Sequence, residues 1–293
     1  MGRNLAALLG VCLTLAVCVR ESHALSDRMV DIGSHRLQIH QEGDGAPVVV
    51  IDTGLADQLE KLKPLQERLA GVTLVVTYNR AGYGQSDPGP LPRDSGREAE
   101  ELKALLEKAS IAEPYVLVGH SLGALNVQVF AARHPKAVAG MVLLDPPPFS
   151  FILGQEWEGL RGMAERMTTE WQAIADSAPG STDAQEKAKA TFFRMIASEH
   201  REMFGQTARL VSAVATFGDK PLVVIASGKP NPAFGEAAEK FQQYWIEQSR
   251  ALSGKSTHGK FILAQGSSHF LYVDVPELVA ESVLSIVQEA RGK

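Results

Sequence analysis

The stretch Tyr115-Val116-Leu117-Val118-Gly119-His120-Ser121-Leu122-Gly123 decides the fold. Its first four residues read as a buried strand, and Ala124 to His134 reads as a helix of mostly small side chains. Between them stands G-x-S-x-G. A serine can occupy the tip of so tight a turn only when small residues on both sides let strand and helix approach each other. Its hydroxyl then projects off the end of the sheet. The first N–H groups of the following helix, which Ser121 is expected to cap, favour a developing negative oxygen there. Ser121 is the candidate nucleophile; the alternative is an ordinary N-cap in a glycine-lined turn.

Working outward, Arg36 to Gln41 alternates with period two, Glu42-Gly43-Asp44-Gly45 is a turn, and Pro47 to Ile51 is an apolar run. Leu59, Leu62, Leu65 and Leu69 have helical spacing, Val72 to Tyr78 is a second apolar run, and 94–110 is a charged helix with Leu102, Leu105 and Leu106 inward. Beyond the elbow, Val138 to Leu144 reads as a strand. Residues 146–219 look helical, and strand–helix alternation resumes with Leu222 to Ala226, a helix near 236–252, Phe261 to Ala264 and a closing helix at 276–291. Strands that are apolar along their whole length and separated by helices indicate a parallel sheet covered on both faces. The predicted layout is an α/β core, 25–145 and 220–293, with a helical cap or lid, 146–219, inserted after strand six.

The chain has 293 residues, 45% apolar, with a net charge of −5. Its charges are scattered rather than blocked, which argues against nucleic acid and anionic membrane surfaces as partners. Arg3 precedes an uncharged run from Leu5 to Val19, too short for a span of about 20 residues. Ser22 and Ala24 put small residues at minus three and minus one of a cut before Leu25, so residues 1–24 are expected to be a signal peptide and the mature chain secreted or periplasmic, with no stable membrane span. The alternative is an uncleaved anchor. Cys12 and Cys18 both lie in this segment, leaving the mature chain no disulfide, thiol nucleophile or zinc-thiolate site.

Of eight histidines, His269 follows the last strand in the loop Gln265-Gly266-Ser267-Ser268, at the sheet edge where Ser121 opens. An imidazole is the suitable base for a serine hydroxyl, so His269 is the candidate base.

With the elbow, and with Asn79-Arg80-Ala81-Gly82-Tyr83-Gly84-Gln85-Ser86-Asp87 matching D-R-x-G-x-G-x-S except at Asn79, the chain resembles the α/β-hydrolase superfamily, in the capped branch that includes esterases and proline iminopeptidase-like members. The resemblance implies a mostly parallel eight-stranded sheet and a triad in the order serine, acid, histidine. Its commonest acid position, after strand seven, holds Ser227-Gly228-Lys229-Pro230-Asn231 and no carboxylate. Asp145, ending strand six, is the preferred candidate, with Glu236 and Glu239 in reserve. The resemblance also implies two backbone oxyanion donors: Leu122 N–H, after the nucleophile, and Leu55 N–H, from the loop Asp52-Thr53-Gly54-Leu55. Asp52 is given a structural role, pointing away.

Lid residues such as Trp171, Phe192, Phe193, Met163 and Met167 suit an apolar substrate group. The function implied is hydrolysis of carboxylic esters of small to medium, largely apolar molecules through an acyl-enzyme. Alternatives are an aminopeptidase of the proline iminopeptidase kind, on amide substrates, and a non-catalytic binding protein. No metal or cofactor is expected, since no H-E-x-x-H, P-loop or dinucleotide fingerprint occurs.

Overall fold

The computed structural model describes residues 26–57, 59–148, 157–177 and 181–292. The expected signal peptide and the lid residues 149–156 lie outside them. Eight strands form one sheet: β1 (Ser26–Asp31), β2 (Arg36–Glu42), β3 (Val48–Asp52), β4 (Val75–Tyr78), β5 (Tyr115–His120), β6 (Val138–Leu144), β7 (Leu222–Ser227) and β8 (Gly259–Ala264). Their order is β1-β2-β4-β3-β5-β6-β7-β8, antiparallel at β1/β2 and β2/β4 and parallel elsewhere. The strand expected from Val72 begins only at Val75, because Gly71 to Leu74 turn out of the preceding helix.

Why the central strands are apolar throughout is visible in how their side chains divide. Successive residues of a strand point to opposite faces. Val48, Val50, Leu117, Met141, Leu143 and Val224 enter one core, while Val49, Ile51, Val116, Val118, Val142 and Ile225 enter another. The first core is covered by helices α2 (Ser95–Lys108) and α3 (Leu122–Arg133), through Leu102, Leu105, Leu125 and Phe130. The second is covered by α1 (Lys63–Ala70), through Leu65 and Leu69, and by the C-terminal helix, through Val279, Val283 and Ile286. Gly140 marks the closest approach of that helix: a Cβ there would stand 2.5 Å from Ile286 Cγ2.

Between β6 and β7 the described chain carries three helices, α4 (Glu158–Asp176), α5 (Ala184–Met203) and α6 (Gln206–Ser212). Asp183 caps α5, its carboxylate accepting from the Gln185 and Glu186 N–H groups. Inside the α4–α5 contact, the Thr168 hydroxyl donates to Ala164 O at 3.0 Å, so the 2.6 Å contact with His200 Nδ1 requires the imidazole to be the donor. The ring of His200 also lies against Trp171 and Phe204. After β7 come α7 (Ala238–Ser253), then β8, the single turn α8 (Leu271–Asp274) and α9 (Pro276–Arg291), the C-terminal helix above.

Burial lowers the His200 pKa to about 4, against 6.5 for a free imidazole. Between those values the unfolded chain binds a proton that the folded chain does not, so stability present above pH 6.5 is lost as pH falls toward 4. The shift corresponds to a contribution of up to about 3 kcal/mol. Thermal melts of the wild type from pH 7 to 4 should therefore fall more steeply than those of His200→Asn, whose curve is expected to flatten over that window.

Candidate active site

In a parallel sheet the C-terminal strand ends share one edge, and the loops leaving them are the natural place for a site. Here Thr53-Gly54-Leu55 follows β3, Asn79-Arg80 follows β4, Ser121 follows β5, Asp145 follows β6, and the His269 loop follows β8.

Ser121 has φ 51° and ψ −118°, a conformation that costs a non-glycine residue on the order of 1–3 kcal/mol. Its N–H donates to Leu144 O at 2.9 Å, and its carbonyl accepts from Ala124 N–H at 3.0 Å. The flanking glycines are there for space. A Cβ on Gly119 would lie 2.6 Å from Ala124 Cα, and one on Gly123 would lie 2.3 Å from Asp52 O and 2.6 Å from Thr53 O. Ser121 occupies the N-cap position of α3 but makes no side-chain cap hydrogen bond, contrary to the expectation that it caps the helix. The strained φ/ψ takes the hydroxyl away from the orientation that capping needs.

Asp145 is likewise held at positive φ, 47°, with its N–H on Ile225 O at 2.7 Å. Its buried carboxylate accepts three hydrogen bonds: from Ser227 N–H at 2.8 Å and Ser227 Oγ at 2.9 Å, and from His269 Nδ1 at 2.6 Å. Gln242 fixes Ser227 in turn, donating to its carbonyl at 2.8 Å. With the Nδ1 proton committed to Asp145, a neutral His269 carries its lone pair on Nε2, the form that can take a proton from a hydroxyl. The structure thus brings Asp145 to His269. Glu236 and Glu239 are exposed at the start of the segment after β7, and neither is hydrogen-bonded to His269.

The His269 loop is pinned from several sides. Gly228 and Lys229 N–H groups donate to Ser267 O at 3.2 and 3.0 Å, and Asp274 accepts from Ser268 N–H at 2.6 Å. His120 Nε2 stands 2.9 Å from His269 O and donates to it, so the residue before the nucleophile braces the loop of the candidate base. Burial lowers the His120 pKa against the pull of nearby Asp57.

Leu122 opens α3, and Leu55 is half-buried in the loop after β3. The contacts around Gly123 set that loop directly beside the first turn of α3. Asp52 turns away from this edge: its carboxylate accepts from Arg80 Nη1 at 2.7 Å, the Tyr78 hydroxyl at 2.9 Å and Asn126 Nδ2 at 3.1 Å. A cleft of about 340 Å³ opens beside the Asp145–His269 pair, walled by Phe234, Trp245, Phe270 and Lys229.

Sequence reading missed Ser227 as a partner of Asp145, Gln242 as a partner of Ser227, and the pairing of Glu199 on α5 with Arg80 at 2.9 Å. Arg80 stood inside a recognised motif, but Glu199 had no motif around it. Only burial distinguishes it from the other acidic residues of helices α4 to α6.

A strained serine elbow and a buried aspartate hydrogen-bonded to a half-buried histidine, on one edge of this sheet, define a hydrolase of the α/β class. A family model described as the alpha/beta hydrolase family matches residues 54–282, and the chain belongs to that family. It is 27% identical over 250 residues to the uncharacterized protein YqjL of Bacillus subtilis, covering 84% of this chain and 86% of that one. It is also 27% identical over 164 residues to a 2-(acetamidomethylene)succinate hydrolase of Mesorhizobium japonicum, covering 56% of each. A solved structure of a thermophilic esterase from Thermogutta terrifontis superposes with a TM-score of 0.67 at 16% identity, covering 90% of this chain and 99% of that one, a likeness of fold.

Gly123→Ala tests the steric basis of the elbow. With Asp52 O only 2.3 Å from the added carbon, the variant should lose about 1–3 kcal/mol in urea unfolding. An unchanged midpoint would show that the contact yields.

Proposed function

We propose that this hydrolase cleaves carboxylic esters of small to medium, largely apolar molecules through an acyl-enzyme on Ser121. The observation that carries the reading is the 2.6 Å hydrogen bond from His269 Nδ1 to Asp145, in a loop on the sheet edge where the Ser121 elbow opens.

In this reading Ser121 Oγ attacks the ester carbonyl carbon as its proton passes to His269 Nε2. The carbonyl oxygen takes up negative charge and is held by the N–H groups of Leu122 and Leu55. Asp145 keeps the ring in the required tautomer and stabilises the imidazolium that forms. Collapse of the tetrahedral species breaks the bond to the alkoxy oxygen, which leaves as alcohol with the proton from Nε2. Water, activated by the same nitrogen, then hydrolyses the acyl-enzyme and returns Ser121 Oγ–H.

The walls support an apolar substrate. Leu55 and Ala56, and Trp171, Phe192 and Phe193 of α4 and α5, pack on a buried cluster of Tyr83, Met195 and Ile196. The cleft beside His269 adds three aromatic rings. Aromatic and methionine side chains offer apolar area without demanding hydrogen-bond partners.

Hydrolysis of p-nitrophenyl esters from acetate to decanoate tests the proposal. Wild type is expected to turn over, with a chain-length optimum that sizes the pocket. Ser121→Ala should abolish turnover, and Asp145→Asn should lower kcat by roughly 10³- to 10⁴-fold through the wrong tautomer while leaving the fold intact. Full activity in Ser121→Ala would sink the reading, and activity on prolyl amides alone would replace it with an aminopeptidase. We also propose export of the chain: mass spectrometry of protein recovered from an exporting bacterium is expected to find Leu25 as its first residue, and retention of residues 1–24 would refute cleavage.

A further inference from the structure

Arg80 is 1% exposed and lies outside the serine–histidine–aspartate constellation, yet its guanidinium is fully engaged. Nε and Nη2 donate to the two oxygens of Glu199 at 2.9 and 3.2 Å, and Nη1 donates to Asp52 at 2.7 Å. Two further side-chain contacts, Nη1 to Thr53 Oγ1 and Nη2 to the Tyr83 hydroxyl, are longer at 3.3 Å, and two go to backbone: Nη1 to Thr53 O at 2.7 Å and Nη2 to Gly54 O at 3.0 Å. A structural ion pair needs no carbonyls, and these two belong to the loop that carries Leu55.

The peptide between Gly54 and Leu55 is trans, so its C=O and N–H point in opposite directions. Capture of Gly54 O by Arg80 therefore turns the Leu55 N–H away from the guanidinium. The next amide cannot substitute for it: Ala56, held at φ 60°, donates its N–H to the Tyr83 hydroxyl at 3.1 Å, and that hydroxyl donates to Glu199. Asp57 N–H also donates to Gly54 O, at 3.3 Å, but Arg80 and Tyr83, which hold Gly54 O and Ala56 N–H, both meet the Glu199 carboxylate of α5. Its neighbour Ser198 adds a second attachment, accepting from Arg93 N–H at 3.0 Å.

We propose that Arg80 is a positioning residue that presets the Leu55 N–H as oxyanion donor, and that Glu199 makes this presetting depend on the seating of the lid. The proposal rests on the ester-hydrolase reading with Leu55 as donor. Physically, a donor aimed at charge that exists only in the transition state changes kcat, while a crosslink that merely holds the fold changes stability.

Two variants separate these cases. Glu199→Gln keeps the shape of the side chain but removes its charge, and Tyr83→Phe removes only the hydroxyl shared by Ala56 and Glu199. Each is compared with wild type for kcat and KM on the best p-nitrophenyl ester, for inhibition by phenylboronic acid, and for circular dichroism and melting temperature. The boronate forms a tetrahedral adduct with a serine and reports the oxyanion site, whereas KM weighs ground-state contacts. The expected result, in folded protein, is a kcat lower by about 10- to 100-fold, KM within twofold, and boronate inhibition weakened in proportion. Should Glu199→Gln not fold, Tyr83→Phe carries the test alone. A folded variant with kcat and boronate inhibition within twofold of wild type overturns the proposal, as does a loss of kcat with boronate inhibition unchanged. Wild type is first treated with a fluorophosphonate probe. Labelling that Ser121→Ala abolishes secures the underlying reading, so a negative result in the variants then counts against the Arg80–Glu199 proposal alone. Absence of labelling in wild type refutes the reading and the proposal together.

Discussion

The approach of α3 to the end of β3 governs this edge of the molecule. The two elements meet at van der Waals distance because residue 123 lacks a Cβ, which would otherwise lie 2.3 Å from Asp52 O. That contact brings the turn after Ser121 and the loop through Leu55 side by side, although 66 residues separate them in sequence. It also lets Asn126, one turn into α3, reach Asp52 at 3.1 Å, so the carboxylate is drawn inward and away from the serine. A larger residue at 123 would push the helix out and part both pairs at once. The strain in Ser121 persists because strand, helix and neighbouring strand ends all over-determine it.

A second constraint is charge. Asp52, Arg80 and Glu199 are each buried to about 1% exposure, and taking them out of water is costly. Replacing such a group with an apolar one of similar shape is often neutral, whereas removing one partner leaves an uncompensated charge and costs on the order of 3–5 kcal/mol. The arrangement is therefore a poor source of net stability but a strong source of specificity. With the guanidinium satisfied by two carboxylates and two backbone carbonyls, few other placements of α5 or of the β3 loop would leave no charge stranded. His200, one residue beyond Glu199, works in the same direction, since burial of its ring against α4 disfavours the charged form.

How far the sequence was legible follows from what kind of signal each feature leaves. The central strands were readable because burial on both faces forces unbroken apolar runs such as Val116 to Val118 and Val142 to Leu144, and those runs sit between helical patterns. The start of β4 was misplaced because Val72 and Leu74 are as apolar as the strand they precede, so periodicity has no edge there. The elbow at Ser121 was readable from steric necessity, and the sheet-edge position of His269 from its place after the last strand. Partnerships over long separations left no mark: Glu199 reaches Arg80 across 119 positions, and Ser227 reaches Asp145 across 82. Neither a charge on a helix nor a serine at a strand end declares what it will meet.

The position of Asp145 shows why geometry tolerates what a motif does not. Strands β6 and β7 are neighbours in the sheet, about 4.8 Å apart, with Leu144 in register with Ile225. A carboxylate at the end of either strand lies within a side chain's length of the same point above the edge, and the His269 loop can settle onto either. Here the carboxylate that meets His269 comes from β6, and the residue ending β7 is a serine whose N–H and O–H are both given to that carboxylate. Ser227 is thus what makes a carboxylate at 145 tenable in a buried setting, since it supplies two of the three donors that stand in for water. What the imidazole requires is an acceptor at Nδ1 held rigidly by its own partners; which strand supplies it matters only through the strand beside it that must satisfy the rest.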